Sequence, residues 1–303
     1  MKIFVIIVTY NFERWIDKCL GSLKRSTVPV DIIVVDNCSK DNTTTKIEND
    51  YPEVILIKNQ VNEGFGKANN IAIDFALKHD CDYVFLLNQD AWIDSNVIET
   101  LSDAFKESPQ YGILSPVHLT GNGRNLDIGF SNYTGLKSKE DLAVYASEDS
   151  VIKSHIINAA FWMIPVKTLH LIGGFSPLFF HSGEDIDYIN RLHYHGYEVG
   201  FCPNAYAYHD REYRNRGKED LVFQMTEYAN INHNFYQAFG YGVLAGFKKA
   251  FEALGKDGLK EFYRITSITF QLLSKSRKII QIRKRTKKAL KYTFLNLELT
   301  AQV

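Results

Sequence analysis

Ile32-Ile33-Val34-Val35-Asp36 and Tyr83-Val84-Phe85-Leu86-Leu87-Asn88-Gln89-Asp90 are the stretches that decide how this chain folds. Each is an apolar run of strand length, rich in β-branched or aromatic residues, and each delivers a carboxylate at its end. Runs without polar alternation belong to strands buried on both faces. Open α/β sheets bind ligands at the carboxyl ends of their strands, so Asp36 and Asp90 are expected at a ligand-binding edge.

The neighbouring sequence repeats the pattern. Ile3–Val8 reads as a first buried strand, followed by the loop Thr9-Tyr10-Asn11. Trp15, Ile16, Cys19, Leu20 and Leu23 form a helical stripe that ends before Pro29. Asn37–Asn42 is a turn rich in capping side chains and leads into a short helix. Val54–Ile57 predicts the third strand, Gly64–Lys78 a helix, Ser95–Lys106 a helix capped by Ser95, and Ile113–Val117 a fifth strand. Strand–helix alternation with short loops implies an α/β fold, a mostly parallel sheet with helices on both faces. Right-handed crossovers then gather the strand-end loops along one edge. From Thr120 to Ser154 the pattern lapses into a glycine-punctuated polar stretch, expected to be a hairpin or a mobile loop. Ala159–Ile164 resumes as a strand. Glu184–His195 reads as a helix closed by Gly196, and Glu198–Phe201 as a short strand. After about Lys218 only helical patterns remain, over Leu221–Phe239, Val243–Leu254, Leu259–Leu273 and Ser276–Leu297. The chain therefore divides into 1–217, an α/β domain, and 218–303, a helical extension.

Composition narrows the class. The chain has 303 residues, 45% of them apolar, and equal numbers of basic and acidic residues at 35 each. Net charge thus says nothing about partners, but Lys275–Lys291 holds nine Lys or Arg and no acid. Cys19, Cys38, Cys81 and Cys202 show no CxxC or zinc spacing, and Cys19 and Cys81 sit in apolar patterns, which fits buried thiols in a reducing compartment. No apolar run approaches the ~20 residues of a membrane span, so a soluble or peripheral protein is expected.

Several constellations carry chemistry. Asp36 can accept a hydrogen bond from a pyrimidine N–H, or simply close a turn. Asp90 suits Mg²⁺ or Mn²⁺ with substrate phosphates filling other positions; otherwise it is a strand-end acid. Asn62-Glu63-Gly64-Phe65-Gly66-Lys67-Ala68-Asn69-Asn70 places two glycines at a helix entry, where backbone N–H groups attract phosphate. Gly183-Glu184-Asp185-Ile186-Asp187 crowds three acids at a helix start, where the dipole favours their ionised form. One of them, Asp185, is placed to take a proton from a sugar hydroxyl; Glu184 reads equally as a cap, and Asp187 is spaced to pair with Arg191. His209 is a candidate metal ligand on a loop. Arg211, Arg214 and Arg216 follow it as possible phosphate contacts.

Taken together, Val8–Asn11, Val35–Asp41, Asn62–Asn70, Leu87–Asp90 and Gly183–Asp187 resemble, in order and spacing, the family 2 inverting glycosyltransferases, with closest similarity to a bacterial rhamnosyltransferase-like branch. The resemblance covers about residues 1–215. It implies a GT-A fold, a nucleotide-sugar donor (a dTDP- or UDP-sugar) and a divalent cation. By position it implies that Thr9 and Tyr10 line the nucleotide pocket and that Asp36 contacts the base. Asn11, Asn37, Asn62, Gly64, Asn69, Asn88 and Gln89 fall within the donor-binding motifs. Asp90 matches the metal-binding acid, His209 a late metal-binding histidine and Asp185 the catalytic base. Asn88 departs from the pattern, standing where many members carry a first Asp.

The basic segment alternates cations with Ile279, Ile280, Ile282, Ala289 and Leu290. It predicts either peripheral contact with an anionic membrane, suited to a lipid-linked glycan acceptor, or a packed helix with a solvated basic face. Nucleic-acid binding is not expected, because no recognised module accompanies the charge. A cytoplasmic location, on the inner face of the plasma membrane, follows from this reading. The competing functions are a sugar nucleotidyltransferase, which would need a glycine-rich basic first loop, and a non-catalytic glycan-binding protein.

Overall fold

The computed structural model describes residues 1–144, 150–210, 220–256, 258–288 and 291–296. β1 (Ile3–Thr9), β2 (Asp31–Asp36), β3 (Ile55–Lys58) and β4 (Tyr83–Leu87) lie parallel in the order β3-β2-β1-β4. Between them run α1 (Ile16–Leu23), α2 (Thr43–Asp50) and α3 (Phe65–Lys78). The apolar runs are continuous because successive side chains enter different cores. Phe4, Ile6, Ile33 and Val35 pack with Ala68, Ala72 and Ala76 of α3. Ile3, Val5, Ile7, Ile32 and Val34 pack on the other face with Ile16, Cys19 and Leu20 of α1.

The sheet then becomes mixed. β5 (Ala91–Ile93), α4 (Val97–Glu107), β6 (Tyr111–Thr120), α5 (Ile128–Thr134), β7 (Ile152–Ser154), β8 (Phe161–Pro165), α6 (Val166–Ile172), α7 (Glu184–Tyr194) and β9 (Glu198–His209) follow along the chain. β8 runs antiparallel to β4, and the order continues β8-β6-β9-β5, with β7 on β9. The strand expected over Glu198–Phe201 extends eight residues further. The β6–β9 register jumps from Pro116↔Cys202 to Val117↔Tyr206 and then runs on to Thr120↔His209. This bulge keeps the strand paired while redirecting it toward β5. His209 is therefore the last residue of a strand and not a loop residue.

The stretch read as a hairpin or loop holds α5, a 3₁₀ turn over Glu140–Val144, and β7. Asp127 starts α5 by accepting from the backbone N–H groups of Gly129 (2.8 Å) and Phe130 (3.1 Å). Gly135, at φ +78°, ends it. Ser95 does not cap α4; that helix begins after Asn96, and the Ser95 carbonyl accepts from Thr27 N–H.

Three helices follow: α8 (Asp220–Ala229), α9 (Phe235–Lys256) and α10 (Leu259–Lys287). α9 runs unbroken through 240–242, the gap between the helices expected over Leu221–Phe239 and Val243–Leu254. A Cβ on Gly242 would meet Tyr228 Oη at 1.5 Å, and one on Gly246 would meet Thr269 Oγ1 at 2.5 Å. These glycines let three helices approach closely. Arg283 of α10 holds the α8–α9 turn, donating to the carbonyls of Tyr228 (2.9 Å), Asn230 and His233 (2.6 Å). Residues 291–296 return to the α/β unit, where Gly174 N–H donates to the Thr293 carbonyl and Asn296 N–H to Asp74 Oδ1. The proposed division at 217/218 lies outside the described residues.

Candidate active site at the carboxyl edge of the parallel strands

Three loops at this edge are stitched by side chains from the expected motifs. Asp36, 3% exposed, receives Thr9 Oγ1 (3.0 Å), Ser39 N–H (3.0 Å) and Ser39 Oγ. Thr9 is fully buried, and its hydroxyl orients Asp36. Asn11, at φ +53°, donates its N–H to Ser39 Oγ and accepts Lys40 N–H. Tyr10 and Gln89 exchange two hydrogen bonds, tying the loop after β1 to the loop after β4. The Tyr10 side chain itself is exposed.

Asn37 joins β2 to the start of α3. Its Nδ2 donates to the Gly64 carbonyl, and its Oδ1 accepts from Asn59 Nδ2 and Glu63 N–H. Asn62 Oδ1 accepts Gly64 N–H. Asn69 is buried and bonds back to the Phe65 carbonyl. Gly64 has φ +78°, and a Cβ there would lie 2.2 Å from the Phe180 carbonyl oxygen. That close approach lets Phe65 N–H donate to the same oxygen. The loop carrying Phe179-Phe180-His181 is thereby fastened to the edge that carries Asp36, and α7 begins four residues beyond Phe180.

At the start of α7, Glu184 is buried near Gly66, while Asp185 is half-buried and accepts Ile186 N–H (2.8 Å). The expected Asp187–Arg191 pair forms at 2.9 Å with both side chains buried. Arg191 also donates to the carbonyls of Ile172 (2.8 Å) and Gly174 (2.9 Å). Burial pushes the Asp187 carboxyl up, and the Arg191 charge opposes this. The last Asn of the motif, Asn70, grips the turn before α7 through the Phe175 N–H and carbonyl.

The end of β4 meets the end of β9. Asp90 Oδ1 lies 3.3 Å from His209 Nε2, and Asn88 Nδ2 lies 3.4 Å from the same nitrogen. On the far side of the ring, Asp127 Oδ2 is 3.5 Å from Nδ1. The β5–β9 pairing Ala91↔His209 fixes this meeting. A proton on Nδ1, facing Asp127, leaves the Nε2 lone pair directed beside Asp90. Cis ligands of an octahedral divalent ion at about 2.1 Å stand about 3 Å apart, so the Asp90–His209 spacing fits one such ion. Among the described residues no three His, Cys, Asp or Glu side chains are grouped to hold a metal. This pair would leave the remaining positions to donor phosphate and water.

Sequence reading passed over Asp127, although its position directly before Ile128 is an N-cap signal. Arg211, Arg214 and Arg216 lie outside the described residues. As expected, Cys19 and Cys81 are buried free thiols; Cys202 is buried too, and Cys38 is half-buried. Burial pushes Cys81 and Cys202 up to about 12, and the buried Cys19 thiol is also raised by the nearby Asp90 charge. A groove between Tyr83 and Pro165, at the opposite end of β4, carries none of the motif residues.

A parallel β3-β2-β1-β4 unit extended by antiparallel β8, with acids at its carboxyl edge, is a GT-A architecture. The glycosyl transferase family 2 profile matches residues 4–161, more than half of the chain, and the chain belongs to that family and is a glycosyltransferase. It is similar to the O-antigen chain rhamnosyltransferase WbaN of Salmonella anatum, 26% identical over 82% of this chain and 79% of that one. It is similar to the N-acetylglucosaminyl-diphospho-decaprenol L-rhamnosyltransferase of Mycobacterium tuberculosis, 25% identical over 68% and 75%. Among solved structures, the mannosyltransferase PcManGT of Pyrobaculum calidifontis, in complex with GDP-Man and Mn²⁺, shares the fold. Its TM-score is 0.51 at 19% identity, covering 95% of this chain and 85% of that chain. Family membership sets aside the nucleotidyltransferase and binding-protein readings. No helix among the described residues is long and apolar enough to cross a membrane.

Proposed function

We propose that this chain transfers a sugar, with inversion, from a nucleoside diphosphate donor to a glycan or lipid-linked glycan acceptor in cell-surface polysaccharide synthesis, at the cytoplasmic face of the membrane. The observation that carries this reading is the stitching of Asp36, the Asp90–His209 pair and the acidic start of α7 to one sheet edge. The two rhamnosyltransferase relatives support rhamnose as the transferred sugar, for which we take a dTDP donor; UDP-hexoses are the alternative. The M. tuberculosis relative, which acts on a diphospho-decaprenol, supports a lipid-linked acceptor.

In this reading Asp36 accepts from the base, the exposed Tyr10 ring covers it, and Thr9 and Ser39 hold Asp36 in place. Asn11, Asn37, Asn62, Gly64 and Gln89 shape the loops around the donor, and Asn69 supports the helix start. Asp90 and His209 would hold a divalent cation (Mn²⁺ or Mg²⁺), with Asn88 beside them and Asp127 orienting His209. Such a cation, when bound, offsets charge on the leaving diphosphate. Asp185 takes the acceptor hydroxyl proton as that oxygen bonds to the anomeric carbon. The glycosidic C–O bond to phosphate breaks on the opposite face, and its electron pair leaves with the nucleoside diphosphate.

A panel of dTDP-, UDP- and GDP-sugars, assayed for nucleoside diphosphate release with and without Mn²⁺, tests the reading. Release from one donor class is expected; no release from any donor, with acceptor glycans present, would remove it. Asp127→Asn should weaken Mn²⁺ binding by about 10–100-fold, measured by titration calorimetry in the presence of nucleoside diphosphate. Unchanged Mn²⁺ affinity would deny Asp127 its orienting role.

A further inference from the structure

The described isoleucines of the basic C-terminal segment pack inward and are not available to a membrane. Ile279 and Ile282 are buried, packed with Leu178, Phe179, Met225 and Tyr228. The exposed apolar surface lies at the other end of α10, where that helix pairs with α9. Leu244 and Phe251 are 68% and 66% exposed on α9, and Tyr263 and Phe270 are 66% and 58% exposed on α10. They are bridged by rings in contact: Phe247 with Phe270 at 5.8 Å, Phe251 with Phe262 at 5.8 Å, and Phe262 with Tyr263 at 5.6 Å. Leu244 and Phe251 are seven residues apart, opposite the buried Gly246, Ala250 and Ala253. The patch is therefore the outward face of the hairpin, with Phe251 and Phe270 on the rim where the two helices meet and still more than half exposed.

The same outward stripe of α10 continues at seven-residue steps from Tyr263 and Phe270 to Arg277 and Lys284. Lys278 and Lys287 flank it, and all four cations are exposed. One helix face thus passes from aromatic to cationic along its length, with no acid between Lys275 and Lys291. A contiguous exposed aromatic patch of this kind marks an interaction surface. A second copy would bring an identical row of cations and no acids in that row to neutralise them. Anionic lipid headgroups neutralise the row, and the interfacial zone accepts aromatic rings and Tyr hydroxyls together.

We infer that the outward face of the α9–α10 hairpin docks on an anionic lipid bilayer, its aromatic end seated at the headgroup boundary and its basic end held by lipid charge. This deepens the membrane location proposed above, and its test does not depend on the transfer chemistry. The full chain is floated with phosphatidylcholine vesicles containing or lacking phosphatidylglycerol, and donor hydrolysis is measured on the same preparations. Flotation with the anionic vesicles is expected, with partitioning at least tenfold weaker onto neutral ones. The Phe251→Ser/Phe270→Ser variant should lose binding to both, and Arg277→Gln/Lys284→Gln should lose the preference for anionic lipid. Helix content by circular dichroism and donor hydrolysis should stay unchanged in both variants. Wild-type flotation by both variants would overturn the inference. So would a dimer, seen by sedimentation, that the phenylalanine substitutions dissociate while wild type fails to float. Failure of donor hydrolysis alone would count against the transferase reading and leave the docking result standing.

Discussion

Asp185→Asn should bind the sugar nucleotide as wild type does and transfer it about 10²–10⁴-fold more slowly, the range for a positioned general base. Asp185 is the second residue of α7, where the helix dipole favours the ionised carboxylate. Its Oδ1 accepts Ile186 N–H, which holds the side chain against its own helix start. The residue remains partly open to solvent at the edge that carries Asp36. Asn keeps the size and the acceptor oxygen but cannot take a proton. Turnover at saturating donor and acceptor, read beside donor affinity by calorimetry, separates chemistry from binding. Wild-type turnover in this variant would remove Asp185 as the base. Equal losses in turnover and donor affinity would make it a binding residue.

Arg191→Ala should destabilise the protein by about 3–5 kcal/mol, the range for breaking a buried ion pair, and lower its melting temperature by on the order of 10 °C. Arg191 is 1% exposed, and its three nitrogens reach Asp187, Ile172 O and Gly174 O. It also lies over the Tyr188 and Phe294 rings, at 4.8 and 5.3 Å. Its removal would strand a buried carboxylate and two backbone carbonyls, and would loosen the turn that presents α7. Burial already pushes the Asp187 carboxyl up, so the stranded acid would protonate at part of that cost. The double variant Asp187→Leu/Arg191→Met should recover part of the loss, because an apolar pair leaves no buried charge. An unchanged melting temperature for Arg191→Ala would show that the pair holds nothing together.

Much of the candidate site was legible before folding was considered. The acids after Val35 and Leu87, and the acidic start of α7, stand in local patterns that report their element and their end of it. Asp187–Arg191 was legible too, because i, i+4 spacing is a local matter. Other features were not. β5 is three residues long and too short to show a period, and β9 looked short because Pro203 and Asn204 interrupt its pattern. Its continuation to His209 exists because β6 offers partners across the bulge. Asp127 read as one polar residue in an irregular stretch, since its nearness to His209 depends on β6 and β9 pairing. Leu221–Phe239 and Val243–Leu254 read as separate helices, and the use of Gly242 and Gly246 as close-contact points appears only when α8, α9 and α10 are packed together.

By itself the sequence determined the parallel half of the sheet, its two-sided burial and the chemical groups at its strand ends, because periodicity and composition act within a few residues. Tertiary structure alone decided which of those groups meet: His209 beside Asp90 with Asp127 behind it, and Phe180 against Gly64. It also decided which face of α10 turns outward. Those outcomes depend on strand register, a bulge and helix approach between segments far apart in the chain, and no local pattern encodes them.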